Sequence, residues 1–414
     1  MRIDSDQWGE IMDSLTRNKA RTFLTAFGIF WGVFMLMVLM GGGKGLQEML
    51  AHNFAGFATN SGFIFVDNTS EPYAGFQSNR VWSLEMEDLR RIKERVPEVD
   101  VVAPSLMVGN ANATFRDEQS SVFIKSFTED YGVIESVPVS MGRSLNASDE
   151  KMCRKVCVIG RRNAEELFKD TISPLGQFIE ISGVQYQVVG VNSKESNSIA
   201  IGDNVESTVY IPYATLSLVY NRANQVDFLG FTVKGSYKVS EVQEKVAAVI
   251  KRAHRIAPYD TKAVQMLNFE AMFGLVENLF KGISILVWMI GLGTLLASAI
   301  GVSNIMLVTV RERTSEIGIR RAIGATPKDI IVQTMSESIV LTLTAGLFGI
   351  CLSVLCLSLI ENSVPATFAG SNFQVPFWTA VGAAVLLSML GVLAGIGPTA
   401  RAMSIKPVDA MREE

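Results

Sequence analysis

The chain has 414 residues, 48% of them apolar, with a mean hydropathy of +0.27 and a formal net charge of −4. So mild a charge points away from a nucleic-acid partner. The two histidines, His52 and His254, are far apart and outside any HExxH pattern, and no GxSxG elbow is present, so neither zinc hydrolysis nor serine catalysis is expected and the chain reads as a non-enzyme.

Over residues 1–21, Trp8, Ile11, Met12 and Leu15 fall at i, i+3, i+4 and i+7. This predicts an amphipathic helix, lying either on the inner membrane surface or against a cytoplasmic partner. Residues 22–43 form an apolar run that starts too late, and is too long, for a cleaved signal peptide; it predicts a first span. Gly41-Gly42-Gly43-Lys44-Gly45 superficially resembles a phosphate loop, but the P-loop spacing is absent and Lys44 precedes Gly45, so a flexible helix junction is expected.

Residues 44–281 read as a large mixed α/β domain. Leu46, Met49, Leu50 and Phe54 at one end, and Met272, Leu275, Val276, Leu279 and Phe280 at the other, form helical stripes that would extend the flanking spans as a stalk or cover the base of the domain. About residues 57–104, a β-α-β unit is predicted: strand 63–66, a helix over 83–92 with Ser83 as N-cap, and a strand over 99–102 ending at Pro104. A second such unit, about 226–268, has a strand over 226–233, a helix opened by Ser240 with a capping box to Gln243 and a buried face of Val242, Val246 and Val249, and a strand over 263–267. Between them, about 105–225, the chain is strand-rich, with a hairpin from Phe178 to Val191 turning at Ser182-Gly183. Asp149 and Glu150 read as solvated loop charges. Cys153 and Cys157 would be roughly 13 Å apart in a regular strand, so two unpaired thiols are expected; a bridge would need a bend between them.

The second span is predicted at residues 282–310, a charge-free run that as a helix would rise roughly 43 Å, more than the hydrocarbon core. The patterned segment 311–329 follows it, then a third span over 330–360 interrupted by Glu337, where the carboxylate can pair or snorkel. A short loop, 361–374, precedes a fourth span over 375–400, opened by Pro376 and closed by Pro398, and a tail, 401–414. Cys351 and Cys356, inside the third run, read as small apolar residues. Lys and Arg collect before the first span, in 311–329 and after the fourth, while 361–374 carries none. The positive-inside rule then puts both termini in the cytoplasm and the large domain outside. The fold expected is an α-helical membrane protein with four transmembrane helices and a large mixed α/β extracytoplasmic domain inserted between the first and second spans.

Small residues recur at helical spacing: Gly28 and Gly32; Gly293, Ala297 and Gly301; Gly391 and Gly395. The first two sets are candidates for a membrane dimer interface, with packing inside one chain as the alternative. In the 311–325 segment, Glu316 and Arg320 lie at i, i+4 in the favourable order, Ile319, Ala322 and Ile323 make an apolar face, and Thr326-Pro327 starts the next helix. Its arginines either orient a protein partner or bind lipid phosphates.

The run Arg-Glu-Arg-Thr-Ser-Glu-Ile-Gly-Ile-Arg-Arg-Ala-Ile-Gly-Ala over 311–325 resembles the signature of the MacB/FtsX family of ABC-transporter permeases. Asn18 to Thr25 is similar to the family's first-span entry. Gly142-Arg143, Val158-Ile159-Gly160, Pro174-Leu175-Gly176 and Val188 to Val191 resemble its outer domain, and Gly397 to Ala402 with Lys406 to Arg412 its tail. The resemblance implies a dimer with a second copy or paralogue, in a bacterial inner membrane, with porter-like and β-rich parts outside. It implies an ABC ATPase on another polypeptide, carrying ATP and Mg²⁺, with no cofactor on this chain. It also implies docking of the 311–325 helix into the ATPase, with Ile319, Ala322 and Ile323 in apolar contact and Arg313, Glu316, Arg320 and Arg321 orienting it. The leading reading is export of antibiotics, peptides or similar substrates through a tripartite system with a periplasmic adaptor and an outer-membrane channel. A signal-transmitting subunit that regulates a cell-wall hydrolase is the alternative, and a lipoprotein-extracting permease the third.

Overall fold

The computed structural model describes residues 19–54, 56–169, 172–193, 201–202, 204–324, 326–363 and 373–403. The amphipathic stretch from Trp8 to Leu15, most of the loop 361–374 and the tail beyond Met403 lie outside them. The chain divides into two compact units, one of Met1–Met49 with Leu279–Glu414 and one of Leu50–Asn278.

Helix α1, Lys19–Asn53, carries the first span and is unbroken through the glycine run, so the flexible junction expected there is corrected to continuous helix. Two of the glycines, Gly41 and Gly45, serve packing instead, while a Cβ on Gly42 or Gly43 would meet nothing within 4 Å. A Cβ on Gly41 would come within 2.5 Å of Leu357 Cδ1, and one on Gly45 would overlap the Phe373 ring. Bare backbone at these positions admits both side chains.

The inserted domain begins with strand β1, Ser61–Val66, and the short β2, Leu84–Glu85. Helix α2, Met86–Arg95, follows. Its N-cap is Glu85, in a capping box with Asp88, and not Ser83, because β2 pairs with Gln225–Val226 and holds Leu84 and Glu85 extended. Strand β3, Val99–Ser105, runs through Pro104. It is an edge strand of its sheet, where a missing N–H is tolerated. Then come β4, Met107–Phe115; β5, Glu118–Phe127; α3, Glu129–Ile134; β6, Val139–Gly142; and α4, Ala147–Lys151. Strand β7, Val156–Ile159, starts after Cys153, which sits in a turn at φ 47° rather than in the strand expected to hold it. Both cysteines are unbridged. Helix α5, Arg161–Phe168, leads to β8, Phe178–Ile181, and β9, Val184–Asn192, joined at Ser182 and Gly183 with φ of 51° and 80°. Two positive φ values in a two-residue loop match the right-handed twist of a hairpin. The domain closes with β10, Thr208–Pro212; α6, Tyr213–Val219; β11, Gln225–Val226; β12, Phe228–Val233; α7, Val239–Ala253; and β13, Val264–Asn268. Helix α7 starts one residue before Ser240, and its first N–H, on Val239, donates to the Glu270 carboxylate at 2.6 Å, so a distant side chain supplies the cap expected from Ser240.

Two sheets result. One has the order β13-β1-β12-β3 with every neighbour antiparallel, the split β-α-β arrangement produced by two β-α-β units interleaving their strands. Alternation along β1 decides its two faces. Ile64 joins the core under α2 and α7 with Ile92, Val242 and Val246, while Phe63 joins Phe57, Phe228 and Phe269 on the other side. The other sheet has the order β6-β9-β7-β10-β5-β4-β8, and β8 also pairs with β9. That pairing closes six strands into a small barrel, whose core includes Val122, Ile124, Cys157, Tyr186 and Val209. Within this domain Phe54 lies 5.2 Å from Phe273, ring to ring, whereas Leu275 is 70% exposed, so only part of the predicted stalk stripe is covered.

Helix α8, Phe269–Glu312, contains the second span; α9, Thr314–Ala322, is a short helix after it; α10, Pro327–Ser363, and α11, Phe377–Met403, carry the third and fourth. Pro398 does not end the fourth span, since α11 continues to Met403. The Thr399 hydroxyl donates to the Gly395 carbonyl at 2.6 Å beside it, a local adjustment of the kind that lets membrane helices tolerate proline. The spans pack through Ile29, Val33, Leu36, Leu295, Val302 and Leu387. At Gly349 a Cβ would sit 2.8 Å from the Phe30 carbonyl, so α10 and α1 touch backbone to backbone there.

Candidate functional site

The segment after the second span is built from local rules. Arg313 ends α8 as the N-cap of α9, Glu316 lies in the first turn of α9 and Arg320 and Arg321 in its last, as the helix dipole favours. Gly324, at φ 112°, takes the left-handed position that stops the helix. Thr326 then donates its N–H and its hydroxyl to Asp329 Oδ2, at 2.9 and 2.7 Å, and Pro327 opens α10. Gly318 is buried, and a small core of Val310, Ile330, Ala402 and partly buried Ile317 holds α9 against its neighbours.

The apolar and charged residues named from the sequence part company here. Ile319 is 46% and Ile323 83% exposed, with Ala322 exposed beside them. These three form one outward face. The arginines turn inward or sideways. Arg313 Nη1 lies 3.3 Å from Glu337 Oε1 on α10, with side chains 17% and 6% exposed. Arg320 donates to Gln333 Oε1 and to Glu316 Oε1, both at 2.9 Å. Arg321 donates to the Met403 carbonyl at the end of α11, at 3.1 Å. Glu337 had been noticed in the sequence as a charge inside an apolar run; its partner was not legible. Gln333 carried no signal at all.

The small-residue sets also divide. Gly28 and Gly32 face α8 of the same chain, where added Cβ atoms would meet Ser298 Oγ at 3.6 Å and Thr294 Oγ1 at 3.4 Å. They are packing positions within the chain, the alternative left open beside a dimer face. Gly293 and Gly301 would meet nothing within 4 Å, and Ala297 is exposed, so that stripe of α8 faces away from the chain's own helices.

In the large domain, Asp149 is not a solvated charge. It is fully buried, pairs with Arg143 at 2.6 Å, and accepts the Asn146 N–H at 3.2 Å in a capping box. Burial acts to raise its pKa, but Arg143 and the Asn146 N–H outweigh it and hold the carboxyl below its usual range. Glu150 is likewise engaged, accepting the Ala214 N–H at 2.9 Å. Among the described residues no group of His, Cys, Asp and Glu side chains is placed to hold a metal ion.

Comparison with known proteins agrees with this architecture. Residues 22–249 match the MacB-like periplasmic core domain, and residues 288–407 match the FtsX-like permease C-terminal model. The chain is 28% identical over 414 residues to the pyoverdine export ATP-binding/permease protein PvdT of Pseudomonas syringae pv. tomato, covering 98% of this chain and 60% of that protein. It is 25% identical over 420 residues to the macrolide export ATP-binding/permease protein MacB of Vibrio parahaemolyticus, covering 99% and 61%. The chain thus spans about 60% of the length of the curated relatives it matches. Among solved structures, the periplasmic region of MacB from Actinobacillus actinomycetemcomitans is 17% identical with a TM-score of 0.43, covering 55% of this chain and 96% of that one. The extracellular domain of the noncanonic ABC-type transporter YknZ from Gram-positive bacteria is 20% identical with a TM-score of 0.41, covering 50% and 100%. With the core-domain model matching more than half of its length and the permease model reaching from the second span past the fourth, this multi-pass membrane chain belongs to the MacB/FtsX family of ABC-transporter permeases.

Proposed function

We propose that the chain is the permease of a MacB-type exporter, converting ATP-driven motion on the cytoplasmic side into movement of the large domain outside. The observation that carries this reading is the outward apolar face of Ile319, Ala322 and Ile323 on a short helix whose arginines are engaged with its own neighbours. A protein partner fits such a face better than lipid phosphates, which would need the guanidinium groups. The partner is an ABC ATPase that binds ATP and Mg²⁺. The relatives' names, which join ATP-binding to permease, favour the same assignment. Basic residues around α9 favour the cytoplasmic side of a bacterial inner membrane for it, with both termini on that side. A second permease copy or paralogue packs on the Gly293, Ala297 and Gly301 stripe, where close helix approach is possible. A periplasmic adaptor and an outer-membrane channel complete the system, and the cargo is an antibiotic, a peptide or a similar molecule.

The test is affinity purification of the tagged permease from its native membranes. Burying an isoleucine contributes about 1.5–3 kcal/mol, so Ile323→Glu should weaken ATPase recovery by roughly 10- to 100-fold while membrane insertion stays intact. A cysteine placed at position 323 should react with an impermeant maleimide only after the cytoplasmic side is opened. Undiminished ATPase recovery with Ile323→Glu, or labelling from outside intact cells, would defeat this reading.

A further inference from the structure

Three arms of the α9 segment reach three different places, and a fourth side chain steadies one of them. Arg313 grips Glu337 on α10 at 3.3 Å, Arg320 grips Gln333 one turn earlier on α10 at 2.9 Å, Glu316 holds Arg320 in place at 2.9 Å, and Arg321 reaches the last turn of α11 at 3.1 Å. A small cleft of about 30 Å³ lies beside Arg313, Arg320 and Glu337, walled by Thr309 and Thr334 together with Met306 and Val310. Glu337 is the more covered partner, at 6% exposure, inside a helix that is otherwise apolar from Ile339 to Leu359 apart from hydroxyl-bearing residues and glycines. A carboxylate there is costly unless paired, so its position demands a mechanical or functional return.

Resting on the coupling role proposed above, we infer that Arg313 and Glu337 are a force-transmitting brace: they fasten the coupling helix to the third span, so that a push on the Ile319–Ile323 face moves α10 together with α8. Covalent continuity ties α9 to α8 through Arg313 and to α10 through the turn at Gly324, but a short helix held only at its two ends can still roll between them. A side-chain attachment a full turn and more along α10 removes that freedom. The two ends of the brace are 24 residues apart in sequence, and the Gln333 contact, 13 residues from Arg320, fixes the rotation of α9 about the brace. Arg313 and Glu337 are positioning residues, distinct from the exposed face that meets the partner.

The experiment uses the full chain with its co-purifying ATPase, in a background with the four cysteines replaced by alanine and a reporter cysteine at Asn362, exposed near the end of α10. Three variants are compared: Arg313→Glu, Glu337→Arg and the double exchange. Two readouts are taken, ATPase recovery and the ATP-dependent change in maleimide labelling at position 362. Each single variant should keep ATPase recovery but lose the ATP-dependent change, and the exchange should restore it, giving an interaction of roughly tenfold between the two sites. Glu337→Gln, which keeps the shape and one hydrogen bond, should lose less than either reversal. Loss of ATPase recovery in the single variants to the extent seen with Ile323→Glu would make these residues docking contacts and overturn the brace. Intact responses in both single variants, or failure of the exchange to rescue, would also overturn it. Absence of any ATPase from the unmodified permease would instead remove the exporter reading, and the brace with it.

Discussion

Removing Lys125 should expose how heavily the large domain depends on one buried charge pair. Lys125 on β5 places its ammonium 2.7 Å from Glu135, just past α3, with the two side chains 2% and 0% exposed. The same ammonium donates to the Ile201 carbonyl at 3.1 Å, and the Tyr131 hydroxyl donates to the same carboxylate oxygen at 2.6 Å. Burial first, and then the Glu135 charge, push the Tyr131 phenol well above its ordinary range, so it remains a donor at any accessible pH. Lys125→Met strips the carboxylate of this ammonium while leaving it buried. Breaking such a pair from one side costs about 3–5 kcal/mol. For a domain of this size each kcal/mol moves the melting temperature about 2–4 °C, so a fall of roughly 6–20 °C is expected. Thermal unfolding of the 50–278 unit, which carries its own core, followed by far-UV circular dichroism reads this directly. The double variant Lys125→Met with Glu135→Leu should recover most of the loss, because the desolvation cost disappears with the second charge. A single variant that melts within about 2 °C of the unmodified domain, or a double variant no better than the single, would refute the argument.

Acidification should weaken the same domain with a definite sign. Burial raises the pKa of Asp88 and Asp260, but His254, the Glu85 N–H and Arg91 outweigh it at Asp88, and Ser70 with the Ala263 and Glu71 N–H groups bring Asp260 down to about 2. Each carboxyl binds its proton less readily folded than unfolded. The stability it contributes is therefore complete above the ordinary carboxylate pKa and is lost as pH falls through the folded value. Asp260→Asn should flatten the fall in melting temperature on acidification; an unchanged slope would remove Asp260 from the account. In the membrane unit, Gly349→Leu should lower thermal stability in detergent by about 1–3 kcal/mol, since the side chain would meet the Phe30 carbonyl, while Gly293→Leu should cost little within one chain. Alkylation followed by mass spectrometry should modify Cys153 in the folded domain and Cys157 only after denaturation, because burial pushes the Cys157 thiol up and seals it in the barrel. A mass lighter by two hydrogen atoms, with neither thiol alkylated, would instead reveal a bridge.

Much of this molecule was legible because it depends on local partition between water, lipid and core. Apolar runs marked the four spans, period-two alternation and Ser182-Gly183 marked the hairpin, and Thr326-Pro327 marked the start of α10. Two β-α-β patterns separated by a strand-rich stretch were visible as well, since each depends on a few neighbouring turns. Chain order alone could not say that their strands would interleave as β13-β1-β12-β3, nor that β8 would meet β9 and β4 to close a barrel. Those choices belong to hydrogen bonds between segments far apart in the chain.

The same boundary runs through individual residues. Composition told that Gly41 and Gly45 lack side chains, but only their neighbours Leu357 and Phe373 turn that lack into packing rather than flexibility. Asp149 looked like a loop charge until Arg143 folded over it. The arginines of the 311–325 segment were read as orienting a protein partner or binding lipid phosphates, and they reach α10 and α11 across 13 to 82 residues of sequence. Periodicity reports which side of a helix is oily, a property of the segment alone. Which charge a guanidinium finds, and which backbone a glycine admits, depends on what the rest of the chain brings alongside, and short-range pattern holds no record of that.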